Sequence, residues 1–259
     1  MTQDPSADTG RAHIEGRALG ARTGVLVAMP EEGSALLDAM RIDERIEHGR
    51  RTFLVGDLWG SPVVVVVARC GKVAAATTVT ELIVRFGVDA VICTGVAGGV
   101  GEGVAIGDVV VADALVQHDL DPRPLWPRHV VPLLETGTFP VEPALSARIE
   151  AAALDHARNG AGGTVHRGLI VSGDQFIHGP AMASAILEAL PGTLAVEMEG
   201  AAVAQVCYEY GVSCAVVRTI SDRADSDAAA DFGESLGSFA ASHTRGILSG
   251  VFRAPAVGS

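Results

Sequence analysis

The sequence predicts a single α/β domain, and three observations carry that expectation. Short β-branched apolar runs alternate along the chain with stretches of helical period. Hydrophobic residues make up 48% of the 259 but aromatics only 4%, and this Ala-, Val- and Gly-rich mixture suits tightly packed strands and helices better than an all-β sandwich. No linker, repeat or low-complexity block interrupts residues 23–253. Outside that domain, residues 1–22 are polar and Gly-rich and predict a disordered tail, and 254–259 predict a flexible end.

Composition also excludes partners. A formal charge of −12 argues against a nucleic-acid backbone or an anionic membrane surface, and a small neutral or cationic ligand fits better. The longest apolar run, residues 62–68, falls far short of the roughly 20 residues that span a bilayer. Residues 1–22 hold no apolar segment of the kind a secretory signal needs. Cys70, Cys93, Cys207 and Cys214 have no C-x-x-C spacing and read as reduced thiols of a cytosolic protein.

Taken in order, residues 23–29 read as the first buried strand, and Pro30-Glu31-Glu32 opens a helix running to Met40. Proline suits a first helical position and two acids beside it complement the helix dipole, which alone would account for Glu32. Residues 51–58 and 62–68, joined through Gly60-Ser61, form a hairpin that ends in a valine strand; Cys70-Gly71-Lys72 then turns into a helix ending near Gly87. Residues 89–94 form another buried strand and run into Gly95-Val96-Ala97-Gly98-Gly99, where glycines let backbone approach a ligand closely. That spacing is not G-x-G-x-x-G, so a dinucleotide is not indicated.

Residues 107–116 supply a further strand, followed by a proline-studded loop, 118–127. Its His118 and Asp119 have no second cluster at metal-ligand spacing, which predicts a satisfied loop histidine and no metal site. An amphipathic helix spans 142–159 and a strand 165–172. In the loop 173–180, Phe176 is either a core plug or a stacking platform. Residues 200–210 read as a helix, 212–220 as a buried strand, and 231–252 as one last helix. That helix opens on a capping-box-like Asp231 and Glu234 and carries Phe232, Leu236, Phe239, Ile247, Leu248 and Val251 at helical spacing.

Charge sits in unusual places within 195–225. Glu197, Met198 and Glu199 stand at a strand-to-helix corner, and Ser221-Asp222 at the carboxyl end of a buried strand, where ligands of open α/β sheets collect. Desolvation raises a carboxyl pKa at such a place, and a protonated acid is what a poor leaving group needs. The same residues also have plain structural readings, as first-turn acids and as a turn cap before Arg223.

The motifs Ala28-Met29-Pro30-Glu31-Glu32, Gly71-Lys72-Val73-Ala74-Ala75-Ala76, Thr94-Gly95-Val96-Ala97-Gly98-Gly99, Gly107-Asp108-Val109-Val110, His118-Asp119, Ser172-Gly173-Asp174-Gln175-Phe176-Ile177, Val196-Glu197-Met198-Glu199 and Arg218-Thr219-Ile220-Ser221-Asp222 occur in that order. Together they resemble the purine nucleoside phosphorylase and nucleosidase family, and within it the bacterial 5'-methylthioadenosine/S-adenosylhomocysteine nucleosidases. The resemblance covers nearly everything after the tail. It implies a mixed, partly closed central sheet surrounded by helices, a homodimer, a purine nucleoside substrate, and hydrolysis without metal or organic cofactor.

Residue by residue, the resemblance implies that Asp222 protonates purine N7 with Ser221 orienting it, and that Glu32 activates the attacking water with Arg218 close by. It implies Glu199 on the ribose hydroxyls, Met198 against the sugar, Phe176 stacked on adenine and backbone of Ile177 at the base edge, with Glu197, Val96, Cys70 and Phe232 completing the substrate-binding set. The chemistry agrees. Breaking an N-glycosidic bond builds positive charge on the sugar and negative charge on the base, so an acid belongs at the base and carboxylates near the sugar. A phosphorylase would hold phosphate where the water sits, and Glu31 and Glu32 would repel it. Two departures stand out: Arg69-Cys70 replaces a Ser-Gly-Ile-like turn, and Pro30 replaces an acid. Arg69 has three readings: it points to solvent, meets a carboxylate on a larger 5' substituent, or helps a phosphate bind, and the last keeps a phosphate-dependent phosphorylase open; the choice of 5' group also leaves a futalosine-type nucleosidase open. By resemblance, the loop 118–132 crosses to a neighbouring subunit and walls the 5' pocket. A nucleoside binder without catalysis is the alternative from another class.

Overall fold

The computed structural model describes residues 22–160 and 163–253. The predicted tail, apart from Arg22, and the predicted flexible end lie outside the described residues. In chain order the elements are β1 (Thr23–Val27), α1 (Pro30–Leu37), β2 (Arg41–His48), β3 (Arg51–Leu58), β4 (Ser61–Val67), α2 (Lys72–Val84), β5 (Ala90–Gly99), β6 (Val109–Gln117), β7 (Thr138–Pro140), α3 (Pro143–Arg158), β8 (Val165–Ser172), α4 (Pro180–Ala189), β9 (Thr193–Glu197), α5 (Gly200–Tyr210), β10 (Ser213–Asp222), α6 (Ala228–Ser238) and α7 (Ala240–Arg253).

The strands form one mixed sheet. β10 pairs with β5 on one side and β6 on the other, and β6, β8, β9 and β5 follow in turn, so these five strands close on themselves. β1, β4, β3 and β2 extend from β5 as an open wing. Hydrophobic pattern explains the two regimes. β1, β5 and nearly all of β10 are buried along their length, as strands covered on both faces must be, whereas β2, at the edge, buries nothing fully and carries charge. One face of the sheet packs on α2 and α5 through residues such as Val79, Leu82 and Val203. The other packs on α1, α3 and α7 through Leu36, Ile149 and Leu248.

The structure extends and corrects the sequence expectations. β2, β7 and α4 were not anticipated: β2 reads RIDERIEH, too charged for a strand by composition, yet Ile42 packs on one face of the sheet and Ile46 on the other, across a register shift between Ile42 and Glu44. The predicted last helix is two helices, breaking at Phe239 (φ −134°) directly after Gly237-Ser238, a pair with poor helix propensity. Asp231 is not its cap; Asp227 takes that position and Asp231 lies in the first turn. Cys93, Cys207 and Cys214 are buried free thiols, and Cys70 is exposed.

Candidate active site

The carboxyl ends of β1, β5, β8, β9 and β10 converge, and the residues singled out in the sequence gather there. Asp222 ends β10 at a register shift against β5, and it is 2% exposed. The chain then turns through Ala224, whose φ of +52° brings its N–H back to Asp222 Oδ1 at 2.9 Å. Ser221 Oγ lies 2.8 Å from Asp222 Oδ2 and 3.3 Å from the Ala97 carbonyl. Burial pushes the Asp222 pKa up, and the Ser221 and Ala224 hydrogen bonds only partly offset it. No ion pair reaches this carboxyl among the described residues.

In front of Asp222 is a narrow cleft lined by Gly98, Phe176, Ile177, Val196 and Met198. Its floor is close-packed: a Cβ on Gly98 would stand 2.9 Å from Asp222 Oδ1. Phe176, 39% exposed, is therefore no core plug; it flanks the cleft and meets Phe232 edge to face at 5.7 Å. Ile177 is buried and Met198 half-buried. Gln175 and Glu197 also reach the lining, and the aromatic and apolar walls with Asp222 at the end suit a flat heteroaromatic ring that accepts a proton.

Beside this cleft lies a second, ionic centre. Glu32, 1% exposed, accepts the N–H groups of Ala28 (2.8 Å), Met29 (2.8 Å) and Val96 (3.0 Å). Its side chain reaches back over the start of α1, so the first-turn role and the inward role coincide. Burial raises its pKa, against Arg218 and those three N–H groups. Arg218 is wholly buried; its Nη2 contacts Glu197 and lies 3.4 Å from Glu199 Oε2. Burial alone would lower the guanidinium pKa, but Glu197, and after it Glu199 and Glu32, outweigh burial and raise it.

Glu197 is saturated by protein donors: Arg218, Ser172 Oγ, and the N–H groups of Glu199 and Gly200 at the start of α5. Glu199 is freer. One oxygen accepts the Gly71 N–H at 2.8 Å, and burial together with Glu197 pushes its pKa to about 7. Arg218 Nη1 has no partner among the described residues. It converges with Glu32 on one point: a Cβ on Gly95 would lie 2.5 Å from Glu32 Oε1 and 2.6 Å from Arg218 Nη1. Only glycine, here at φ +151°, leaves that space.

The structure thus brings Asp222, Ser221, Glu32, Arg218, Glu197, Glu199, Met198, Phe176, Ile177, Val96 and Phe232 to one region. Cys70 stands slightly apart, in an open cleft beside Met29. Sequence reasoning missed a clip that ties the surrounding loops: Lys72 Nζ bonds Asp119 Oδ1 at 2.6 Å, and Asp119 and Asp174 accept backbone N–H groups of Asp174 and Lys72. Asp119 is thereby an ion-pair partner. His118 is buried, with its pKa lowered by desolvation. The signal for the clip was a lysine placed directly after Gly71 at a helix start, where the dipole disfavours it.

Residues 22–249 match the model of the phosphorylase superfamily. The 5'-methylthioadenosine/S-adenosylhomocysteine nucleosidase of Mycobacterium tuberculosis (strain CDC 1551 / Oshkosh) is 36% identical over 243 residues, covering 87% of this chain and 94% of the relative. The crystal structure of the Neisseria meningitidis enzyme of that name, in complex with methylthio-immucillin-A, superposes with a TM-score of 0.83 at 33% identity, over 90% of this chain and 99% of that one. A native structure of the futalosine hydrolase of Helicobacter pylori strain 26695 superposes with a TM-score of 0.81 at 34% identity, over 89% and 97% of the two chains. Matched over nearly its whole described length in sequence and in fold, the chain belongs to the phosphorylase superfamily, alongside the 5'-methylthioadenosine/S-adenosylhomocysteine nucleosidases.

Proposed function

We propose that this chain hydrolyses the N-glycosidic bond of 5'-methylthioadenosine and related 5'-thioadenosines, S-adenosylhomocysteine among them, releasing adenine. The observation that carries the reading is the pairing of Asp222, a buried carboxyl that no ion pair reaches among the described residues, at the end of a mainly apolar cleft with Glu32 and the unpartnered Nη1 of Arg218 a short way off. Relatives at 36% identity bear that enzyme's name.

In this mechanism Asp222 delivers its proton to purine N7 as the bond from C1' to N9 breaks, so the base leaves neutral. Phe176, with Phe232 behind it, holds the ring, and backbone of Ile177 meets its edge. Glu199 binds the ribose hydroxyls while Met198 packs on the sugar. A water in the space above Gly95 donates to Glu32 and accepts from Arg218, and attacks C1' as positive charge grows there. Glu197 contributes at one remove, by fixing Arg218 and the start of α5. No step calls for a metal or an organic cofactor.

Water is the nucleophile in this reading because Glu31 and Glu32 would repel a phosphate at that point. The protein works as a homodimer; Val73 (77% exposed), Val84 (66%), Leu125 (78%) and Leu133 (87%) are apolar side chains that a second copy would cover. Among the described residues no helix is long and apolar enough to cross a membrane, and the unpaired cysteines fit the cytoplasm. Incubating the protein with 5'-methylthioadenosine, with and without phosphate, tests the reaction. Adenine release at equal rates is expected, and an absolute need for phosphate would replace hydrolysis with phosphorolysis.

A further inference from the structure

A cleft of about 580 Å³ opens beside Met29 and Cys70, in the turns that follow β1 and β4. Its entrance is fixed relative to the reacting centre. Met29 N–H holds Glu32, and Gly71, next to Cys70, holds Glu199 through its N–H. In the proposed binding mode, with Glu199 on the ribose hydroxyls, a group carried at the sugar's 5' carbon lies toward this cleft, whose size is that of a small-molecule pocket.

Four arginines line it: Arg45, Arg50, Arg51 and Arg69. The strand register brings them together, since Phe53 pairs with Val66 and so Arg50-Arg51 meets the chain at Ala68-Arg69. Among the described residues none of the four has an ion-pair partner. Glu81, whose charge reaches Arg51, is engaged by His48 at 3.4 Å. In a chain of formal charge −12, four clustered cations none of which is ion-paired among the described residues are an unexplained charge excess.

Their roles differ. Arg51 is a strut, donating to the carbonyls of Ala68, Gly49 and Ala74. Arg69 gives one N–H to the Arg50 carbonyl and is otherwise exposed, as are the side chains of Arg45 and Arg50. Arg50 and Arg69 adopt φ of +59° and +75°, backbone that an L side chain takes up only when surroundings impose it.

We infer that this arginine-lined cleft receives an oxyanion carried on the 5' arm of the nucleoside, most simply a terminal carboxylate, and so selects among 5'-substituted adenosines. The inference rests on the proposed nucleosidase activity and adds the chemical class of the preferred arm. Guanidinium groups bind carboxylates by paired, charge-assisted hydrogen bonds, and exposed ones do so in a salt-sensitive way.

The test compares 5'-S-(3-carboxypropyl)-5'-thioadenosine with its amide, two arms of one size that differ in charge, alongside 5'-methylthioadenosine. The variants are Arg69→Gly, Arg50→Gly and the pair combined, at positions whose backbone glycine adopts without strain. Expected is a kcat/KM for the acid roughly tenfold above that for the amide, carried by KM and shrinking with added salt, and lost in the double variant. Equal kcat/KM for acid and amide in the wild type would overturn the inference while leaving hydrolysis of 5'-methylthioadenosine standing. So would a preference that survives in the double variant, or inorganic phosphate that speeds cleavage of the amide in the wild type but not in that variant. If none of the three nucleosides yields adenine, the nucleosidase reading itself falls, and this inference with it.

Discussion

At one end of the candidate site, where the proposed mechanism places the purine, one carboxyl, Asp222, is held by a hydroxyl and a backbone N–H; at the other, the proposed sugar end, Glu32, Glu197 and Glu199 share the neighbourhood of one buried guanidinium, Arg218. Both ends are dry, but desolvation acts on them differently. With no ion pair to offset it, burial raises the Asp222 pKa and so favours the protonated form that a general acid uses. Around Arg218 the same penalty is divided: Glu197 takes the guanidinium in direct contact, and Glu199 is left with a pKa near 7. One fold thus holds a carboxyl without a cation and a cluster of carboxyls around one, the separation that the proposed cleavage of a glycosidic bond would use.

The hardest blow to that division is removal of its proton. Asp222→Asn keeps size and polarity but cannot protonate N7, so kcat is expected to fall by about 10² to 10⁴ with KM little changed, measured as steady-state adenine release. Glu32→Gln should lose a similar factor from the other side, through the water, while its melting temperature stays near wild type. Turnover within a few-fold of wild type in either variant would remove that residue from the chemistry.

Arg218→Met strikes the sugar end through stability. It leaves Glu197 and Glu199 buried without their cation, and breaking such a pair costs about 3–5 kcal/mol. For a chain of this size that is a drop in Tm on the order of 10 °C, readable by thermal unfolding. Asp222→Asn, by contrast, removes no ion pair and should leave Tm close to wild type. If the two variants melted alike, the distinction between a lone acid and a charge cluster would fail.

A subtler test uses pH. The proposed mechanism needs Asp222 protonated, and its pKa is raised, so kcat should fall as pH climbs through that pKa; it needs Glu32 ionised, so kcat should also fall as pH drops through its own raised pKa. Ser221 holds the Asp222 pKa down. Ser221→Ala should therefore move the alkaline limb to higher pH by a fraction of a unit. A shift the other way would mean that the hydroxyl accepts from the protonated acid instead of donating to the carboxylate.

These two ends were unequally legible in the sequence. The buried strands and the acids at their ends could be read from apolar runs that stop at Glu197 and at Asp222, because full burial leaves a continuous signal. The elements missed are those whose cause is not local. β2 is held by pairing with β3, and the break at Phe239 between α6 and α7 separates two helical stretches that read as one by period. Arg218 appeared as one charged residue within a strand, and nothing nearby in sequence says that its partners are Glu197 and Glu199, which reach it only once β9 and β10 enter the same closed sheet. The arginines at 45, 50, 51 and 69 likewise meet through strand register, which a linear reading does not supply.

The mildest change is Glu199→Gln, which tests whether the sugar-side cluster stores its strain where the geometry says. Glu199 has a folded-state pKa raised from 4.5 to about 7, first by burial and then by Glu197. The unfolded chain gives up this proton before the folded one does. Its contribution to stability is therefore complete below the unfolded pKa, declines as pH rises through about 7, and is level above that. Glutamine is neutral throughout and can keep the Gly71 N–H bond through its amide oxygen, losing only the 3.4 Å contact with Arg218. Between pH 5 and 8 the variant's Tm should accordingly fall less steeply than the wild type's, the difference growing to a few degrees at the alkaline end. Parallel Tm curves would mean that the proton resides elsewhere in the cluster.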